Sequence, residues 1–505
     1  MQLLLVVPDG VGIRNFIHGR FLAVAAAAGL DVEIASGVPA PALCGVAPAL
    51  TRGRGLYEMP IYIENPAARF WRKTSEIAHL HHYHTSAMQW TLARNRPRGY
   101  ARAALFQRVV AATGRLTHPL PLLHLLDRFH DLAVRRHPLS AAYAALLRAH
   151  RPAAVFFTHQ RPAQILPLVA AAKTLNIPTV AFIFSWDNLS SKGRMPASFD
   201  HYLVWSAQMR AELLHFYPEI PPERVRVVGT PQFEPYAYTE FGWSEARFCQ
   251  ELGLPLGRRR ICFSGGDPGT SPDDPLYVQT LAAANRAKAF GEEVDLIVRP
   301  SPADPTARFA PVLAAFPEIC WSPPRWEQAR PAHPAPWSQK VPQAADIDLL
   351  KALVQYCAVG VNMASTMTLD FACADKPVVN VSFGRPGLYR AGFTDADYYG
   401  YDHYRRVLEV GGVQWARTPD ALIAAIRSYL HDPGQDRTGR QALVHGQLGD
   451  PLQGTSERLV AALQEIGATA GVINPGPQAA AIADHAPATR PGLPAAAPAA
   501  QQPPH

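Results

Sequence analysis

Residues Ala358 to Ser382 read AVGVNMASTMTLDFACADKPVVNVS. They give an apolar strand, a Ser-Thr turn, a short helix and a second strand, Lys376 to Val381, that opens at a Lys-Pro step. This stretch decides the fold, because strand, helix and strand in succession form the βαβ unit of a parallel sheet. Main-chain N–H groups at the start of the helix carry the positive end of its dipole, so a diphosphate could be held there beside the Ser365 and Thr366 hydroxyls. Asp370 follows roughly one and a half turns into the same helix, where its carboxylate could accept hydrogen bonds from ribose hydroxyls. Ser and Thr are also ordinary helix caps, and the segment alone fits both readings.

Working outward, the same alternation recurs along the chain. In the first half the spacing predicts strands at Leu3 to Val7, Val32 to Ala35, Ala154 to Thr158, Thr179 to Phe184, Tyr202 to Trp205 and Val225 to Val228. The second half restarts with Ile261 to Ser264, Leu296 to Arg299, Val359 to Asn362 and Val378 to Val381. Two doubly wound parallel sheets in tandem follow, and 505 residues suit two domains of roughly 200 to 230 residues each. The break falls near Gly229-Thr230-Pro231, which gives a first domain at 1–235 and a second at 236–466. From 467 onward the chain turns Ala/Pro/Gln-rich and is expected to be a disordered tail.

Between about 66 and 150 the strand pattern gives way to helix-like, basic sequence. Arg94, Arg96, Arg98, Arg102, Arg108, Arg115, Arg128, Arg135 and Arg136 interleave with Leu105, Phe106, Leu122, Leu123, Leu126 and Phe129. Such an insertion could meet anionic lipid headgroups or simply be a solvated helical addition. The net charge of +7 and pI of about 9.1 fit an acidic partner such as a nucleotide diphosphate or an anionic membrane, and a biased base composition would give the same surplus; no nucleic-acid partner is expected. The six cysteines stand apart without zinc-type spacing, so free thiols in a reducing, cytoplasmic setting are expected. MQLLLVVPDG lacks a charged leader region and reads as a first strand. No run of about 18 apolar residues is present, so peripheral attachment at the inner face of a membrane is the expected limit of membrane contact.

The Ser365-Thr366 turn with Asp370 five residues on resembles the second half of GT-B glycosyltransferases and their relatives, the UDP-N-acetylglucosamine 2-epimerases and CDP-glycerol glycerophosphotransferases. DIDLLKALVQYCAVGVN before the key strand and the Gly-Thr-Pro crossover are similar to the same group. The resemblance implies a GT-B fold, two Rossmann-like domains facing a cleft, with the donor diphosphate at the Ser-rich turn and its ribose at the acid. Gly265 and Gly266 in SGGDPGTSPDD permit close approach to phosphate, and Arg299 at a strand end could grip a diphosphate in bidentate fashion. Relatives often carry Arg-Pro-His at that step; here Ser301 stands in place of the histidine.

In the first domain, PDGVGIRNFIHG places Asp9, Arg14, Asn15 and His18 at the cleft mouth. Several GT-B enzymes carry a histidine or acid near here as general base, and His18 or Asp9 could serve, with Asp187 a further candidate. His159, Arg161, Trp186 and Asn188, on loops that also follow strands, are expected to contact the acceptor, Trp186 by stacking on a sugar. HHYH (His81, His82, His84) lacks matching ligands, and Asp346-Ile347-Asp348 and Asp395-Ala396-Asp397 match a metal tripeptide only formally; neither a metal nor another cofactor is expected. The resemblance implies a glycosyltransferase of polysaccharide biosynthesis, moving a sugar from a nucleotide diphosphate sugar to a surface-glycan or lipid-linked acceptor. A CDP-glycerol-type polyol-phosphate transferase, a UDP-N-acetylhexosamine 2-epimerase and a non-catalytic nucleotide-sugar binding protein stay open beside it.

Overall fold

The computed structural model describes residues 1–48, 55–96, 102–389 and 392–473. The first unit is a seven-stranded sheet of β1 (Gln2–Val7), β2 (Asp31–Ser36), β3 (Leu56–Glu58), β4 (Ala154–Phe157), β5 (Thr179–Phe182), β6 (His201–Val204) and β7 (Val225–Val227), in the order β3-β2-β1-β4-β5-β6-β7. The second unit contributes β8 (Arg260–Ser264), β9 (Asp295–Arg299), β10 (Cys320–Trp321), the antiparallel hairpin β11 (Trp326–Gln328) and β12 (Lys340–Pro342), then β13 (Val359–Asn362), β14 (Val378–Val381) and β15 (Gln414–Ala416). Its sheet runs β10-β9-β8-β13-β14-β15. Every neighbouring pair in both large sheets is parallel.

Near-continuous apolar runs such as Leu3–Val7 and Val359–Val361 are buried on both faces, as parallel strands covered by helices require. All ten strands read from the sequence are present, with small shifts at their ends. The short edge strands β3, β10 and β15 and the β11–β12 hairpin carry no such run and were not anticipated.

The described residues between 66 and 150 form five helices: α1 (Pro66–Tyr83), α2 (Ser86–Arg94), α3 (Arg102–Leu116), α4 (Leu120–Arg135) and α5 (Pro138–His150). Two further helices matter below, α6 (Met367–Cys373) and α7 (Thr455–Ile473). The expected tail begins later than 467, since α7 runs to Ile473; its remainder lies outside the described residues. α7 also returns to the first unit, where Gln464 Nε2 donates to the Ala28 carbonyl at 2.9 Å and Arg226 pairs with Glu465. The two crossings between units lie side by side: Ser456 N–H donates to Glu234 at 2.9 Å, Gly454 N–H to the Tyr238 hydroxyl at 3.1 Å, and Arg458 Nε to the Val228 carbonyl at 3.0 Å.

The β11–β12 hairpin reaches across to the first unit. Gln339 Nε2 donates to the Gly37 carbonyl at 3.0 Å, His18 Nε2 to the Pro342 carbonyl at 3.0 Å, and Arg330 pairs with Glu58. A Cβ on Gly10 would lie 1.8 Å from the Lys340 carbonyl oxygen, so only glycine fits beneath the hairpin. Among the described residues no helix is long and apolar enough to cross a membrane.

Candidate functional site

Strand C-termini of both sheets meet across the cleft, which is where doubly wound sheets carry their ligands. After β13, the Asn362 side chain shapes the turn: its Oδ1 accepts from Ser365 N–H at 3.0 Å, Thr368 Oγ1 at 3.2 Å and Asn380 Nδ2 at 3.0 Å. Ser365 Oγ accepts from Met367 N–H at 3.3 Å, and Thr366 Oγ1 accepts from the Trp186 indole N–H of the other unit at 3.2 Å. Asp370 is 3% exposed and its Oδ1 accepts from the Tyr236 hydroxyl at 2.8 Å. Burial pushes its carboxyl up to about 6 despite the Tyr236 hydrogen bond and the nearby Arg14 and Arg299 charges. The Tyr236 hydroxyl thus occupies Oδ1 of the carboxylate expected to meet a ribose.

Arg299 ends β9 and is 6% exposed. Its Nη2 donates to both oxygens of Asp346 at 2.9 and 3.0 Å, and the same carboxylate accepts from Arg325 N–H at 2.9 Å and the Trp326 indole N–H at 2.8 Å. Arg299 Nη1 is buried and has no hydrogen-bond partner among the described residues. From the first unit, Arg14 enters the same field. Burial lowers its pKa, opposed by the charges of Asp370 and Asp346 and reinforced by Arg299. Its Nε donates to Asn15 Oδ1 at 3.1 Å, and among the described residues neither Nη has a hydrogen-bond partner. Arg14 was expected on the acceptor side; the structure places it near Asp370, Asp346 and Arg299 of the second unit. The space beside Arg14 and Asn15, walled by Pro231, Tyr236 and Leu350, holds only about 20 Å³.

The glycine loop does not offer the amides its sequence suggests. Gly265 N–H continues the sheet to the Arg299 carbonyl at 2.9 Å, and Gly266 N–H donates to Asp274 Oδ2 at 2.8 Å. Asp274 also holds Arg308 at 2.7 Å, and burial pushes its carboxyl up to about 7. These groups close the loop on itself.

On the other side of the cleft, Asp9 follows β1 and caps the next turn, accepting from Val11 N–H at 3.1 Å and Gly12 N–H at 3.0 Å. Its second oxygen lies 2.6 Å from His159 Nδ1, at the end of β4, the strand that neighbours β1. His159 stacks on Phe184 with ring centroids 3.7 Å apart, and its Nε2 has no partner among the described residues. A fully buried capping carboxylate that orients an imidazole is a positioning group, and the histidine becomes the better base of the two. This pairing was not read from the sequence, where His159 stood as an acceptor contact.

The remaining expected residues have structural partners. His18 donates to Pro342 across the units, and burial lowers its pKa. Asp187 is a poor base: burial favours its neutral form, but Lys192 at 3.4 Å, His403 and hydrogen bonds from Ser185 and Asn188 outweigh this and hold it well below the usual carboxylate range. Trp186 is 4% exposed and packs between the units against His403 at 5.0 Å and Tyr404 at 5.7 Å, so its ring is not open to a sugar. Arg161 donates to the Gly193 carbonyl at 3.0 Å, and Asn188 joins Asp187 to Gln160. Asp348 accepts from Gly242 N–H, Asp395 from Gly384 N–H, and Asp397 caps Thr394. No group of three or more potential metal ligands forms among the described residues.

No protein-family model and no curated protein matches the sequence. Solved structures match in fold. A UDP-GlcNAc 2-epimerase from Neisseria meningitidis, solved with UDP-GlcNAc bound, is 10% identical, with 92% of this chain and 100% of that chain covered and a TM-score of 0.50. A protein from Listeria monocytogenes taken to be a UDP-N-acetylglucosamine 2-epimerase is 10% identical over 92% and 96% with a TM-score of 0.52. A glycosyltransferase from Rickettsia africae is 12% identical over 93% and 98% with a TM-score of 0.49. The chain has the GT-B fold: two Rossmann-like units with a cleft between them.

Proposed function

We propose that the chain uses a nucleotide diphosphate sugar and transfers its sugar to a surface-glycan or lipid-linked acceptor. The observation that carries this reading is the convergence of Arg14 and Arg299 from opposite units on Asp346 and Asp370, each arginine with guanidinium nitrogen that has no hydrogen-bond partner among the described residues. Two guanidiniums brought together from the two units suit the charge that grows on a departing diphosphate, and in a dry cleft they would stabilise it strongly. His159 Nε2 takes the proton of the acceptor hydroxyl as its oxygen bonds to the anomeric carbon. The bond from that carbon to the diphosphate breaks, and its electron pair leaves on the phosphate oxygen. Asp9 holds Nδ1 of the ring and so orients Nε2 toward the acceptor, the role of the acid in any carboxylate–histidine pair. Donor contact by Ser365, Thr366 and Asp370 belongs to the same proposal, Asp370 after Tyr236 has moved.

A second reading, a UDP-N-acetylhexosamine 2-epimerase, is favoured by the likeness in fold to the epimerases above. Thermal melting with UDP, CDP and GDP derivatives identifies the base, since a ligand at 100 times its Kd stabilises by about 2.7 kcal/mol. NMR of the stabilising nucleotide sugar then separates the reactions. Release of the nucleoside diphosphate that depends on an added acceptor, and that falls about 100-fold or more in His159→Gln, supports transfer. Conversion to the 2-epimer without acceptor refutes transfer, and no stabilisation by any nucleotide refutes both readings.

A further inference from the structure

The insertion presents an outer surface built from α1, α3 and α4. α1 lies between α3 and α4. On one flank Phe70 meets Phe106 at 6.3 Å, with Gly114 packed on Ile77; on the other Trp71 stacks on Phe129 at 5.0 Å and Ser75 donates to Asp127 at 2.7 Å. Leu123, Leu126 and Val134 supply the buried side of α4. Among the described residues nothing covers the outer sides. On α3, Leu105, Val109 and Leu116 are 61%, 46% and 76% exposed. On α4, Leu122, Leu125, Phe129 and Leu132 are between 41% and 45% exposed. Their spacings place each set on a single stripe of its helix. The ring row Phe106, Phe70, Trp71 and Phe129 carries the apolar surface across α1 from one stripe to the other. Apolar surface gathered in this way marks a contact site.

Its rim is basic. α3 contains Arg108 and Arg115 and no acid. Arg115, Arg128 and Arg136 are exposed, and the described residues give them no ion-pair partner. The two acids of α4 are engaged, Asp131 with Arg135 at 2.9 Å and Asp127 with Ser75 and Arg194. A symmetric contact with a second copy would set these arginines against their own images, which is unfavourable. Anionic headgroups complement them, and long arginine stems can lie along the apolar face with their charges at headgroup level.

We propose that the outer face of α3 and α4, with the aromatic row between them, inserts into the interfacial layer of an anionic bilayer. The basic patch expected from sequence is relocated by this geometry. Arg94 lies over the Trp90 ring at 4.3 Å, against the Tyr398 side of the second unit, while Arg98 and the Arg102 side chain lie outside the described residues. Apolar insertion bounded by arginines replaces adsorption by charge alone. The proposal is independent of the reaction in the cleft.

Flotation of the full chain with vesicles of phosphatidylglycerol and phosphatidylcholine tests it, with no nucleotide present, so that failure here is distinct from failure of the transferase reading. Wild type should float, should be partly released by salt as the Debye length shortens, and should show tryptophan quenching by brominated lipid that is lost in Trp71→Phe. Each of Leu105→Ser, Leu116→Ser, Leu125→Ser and Leu132→Ser should weaken partitioning roughly tenfold. Because these side chains are exposed, melting temperature should be unchanged. Three results would overturn the proposal: no flotation of wild type at low salt; flotation lost in Arg115→Gln, Arg128→Gln and Arg136→Gln combined but intact in the leucine variants; or leucine variants that change the oligomeric state of a protein that does not bind vesicles.

Discussion

At the scale of single residues, Asp370 shows how burial couples α6 to proton concentration. Its carboxyl rises from the ordinary value of 3.8 to about 6 in the folded chain, so folding takes up a proton between those values. Stability therefore falls as pH rises through that window and is flat above it. Asp370→Asn keeps an acceptor for the Tyr236 hydroxyl and removes the buried charge. It should be more stable than wild type by about 1 to 3 kcal/mol above pH 6, with the advantage fading below about pH 4; melting curves across pH check this. The same residue shows where sequence stops. Its position after Ser365 is legible, but Tyr236, from an aromatic stretch with no pattern, carries no signal that it caps the carboxylate. Asp9 and His159 were each legible as loop residues after strands. Their pairing depends on β1 lying beside β4, an adjacency hidden by the intervening β2, β3 and the whole helical insertion.

At the scale of elements, long apolar runs announced their strands because both faces of a parallel sheet must be apolar. Cys320–Trp321 and Gln414–Ala416 are too short and mixed to announce anything, and the β11–β12 hairpin sits in proline-rich sequence. Yet that hairpin carries much of the cleft: Trp326 secures Asp346, which secures Arg299, while Lys340 covers Gly10. Gly10→Ala would drive a methyl into the Lys340 carbonyl. The hairpin must shift, costing about 1 to 3 kcal/mol as overpacking does. Hydrogen exchange should then rise at β11 and β12 before it rises in either large sheet. Unchanged exchange would mean that the approach relaxes without moving the hairpin.

At the scale of the whole molecule, α7 belongs to the second unit by sequence and to the first by packing. Leu459, Val460, Leu463 and Ile466 are buried, and at about 1.5 to 3 kcal/mol for each buried side chain their loss would rival the net stability of a typical domain. A chain ending at Asn474 should melt like the full protein, because the Ala/Pro-rich remainder has little to bury. A chain ending at Gly454 should lose cooperative melting; retention of a sharp transition would show the first sheet to be self-sufficient. The paired crossings beside Glu234 and Ser456 have a mechanical consequence. Two connections bonded to each other act as the spine of a book rather than as a loose tether, so the units can rotate about one line but cannot drift apart. Displacement about such a spine grows with distance from it. Spectroscopic labels placed in pairs near Glu58 with Arg330, and near Glu212 with Arg406, on opposite flanks of the cleft, would therefore tell simple opening, in which both pairs separate, from twisting, in which one pair separates as the other closes.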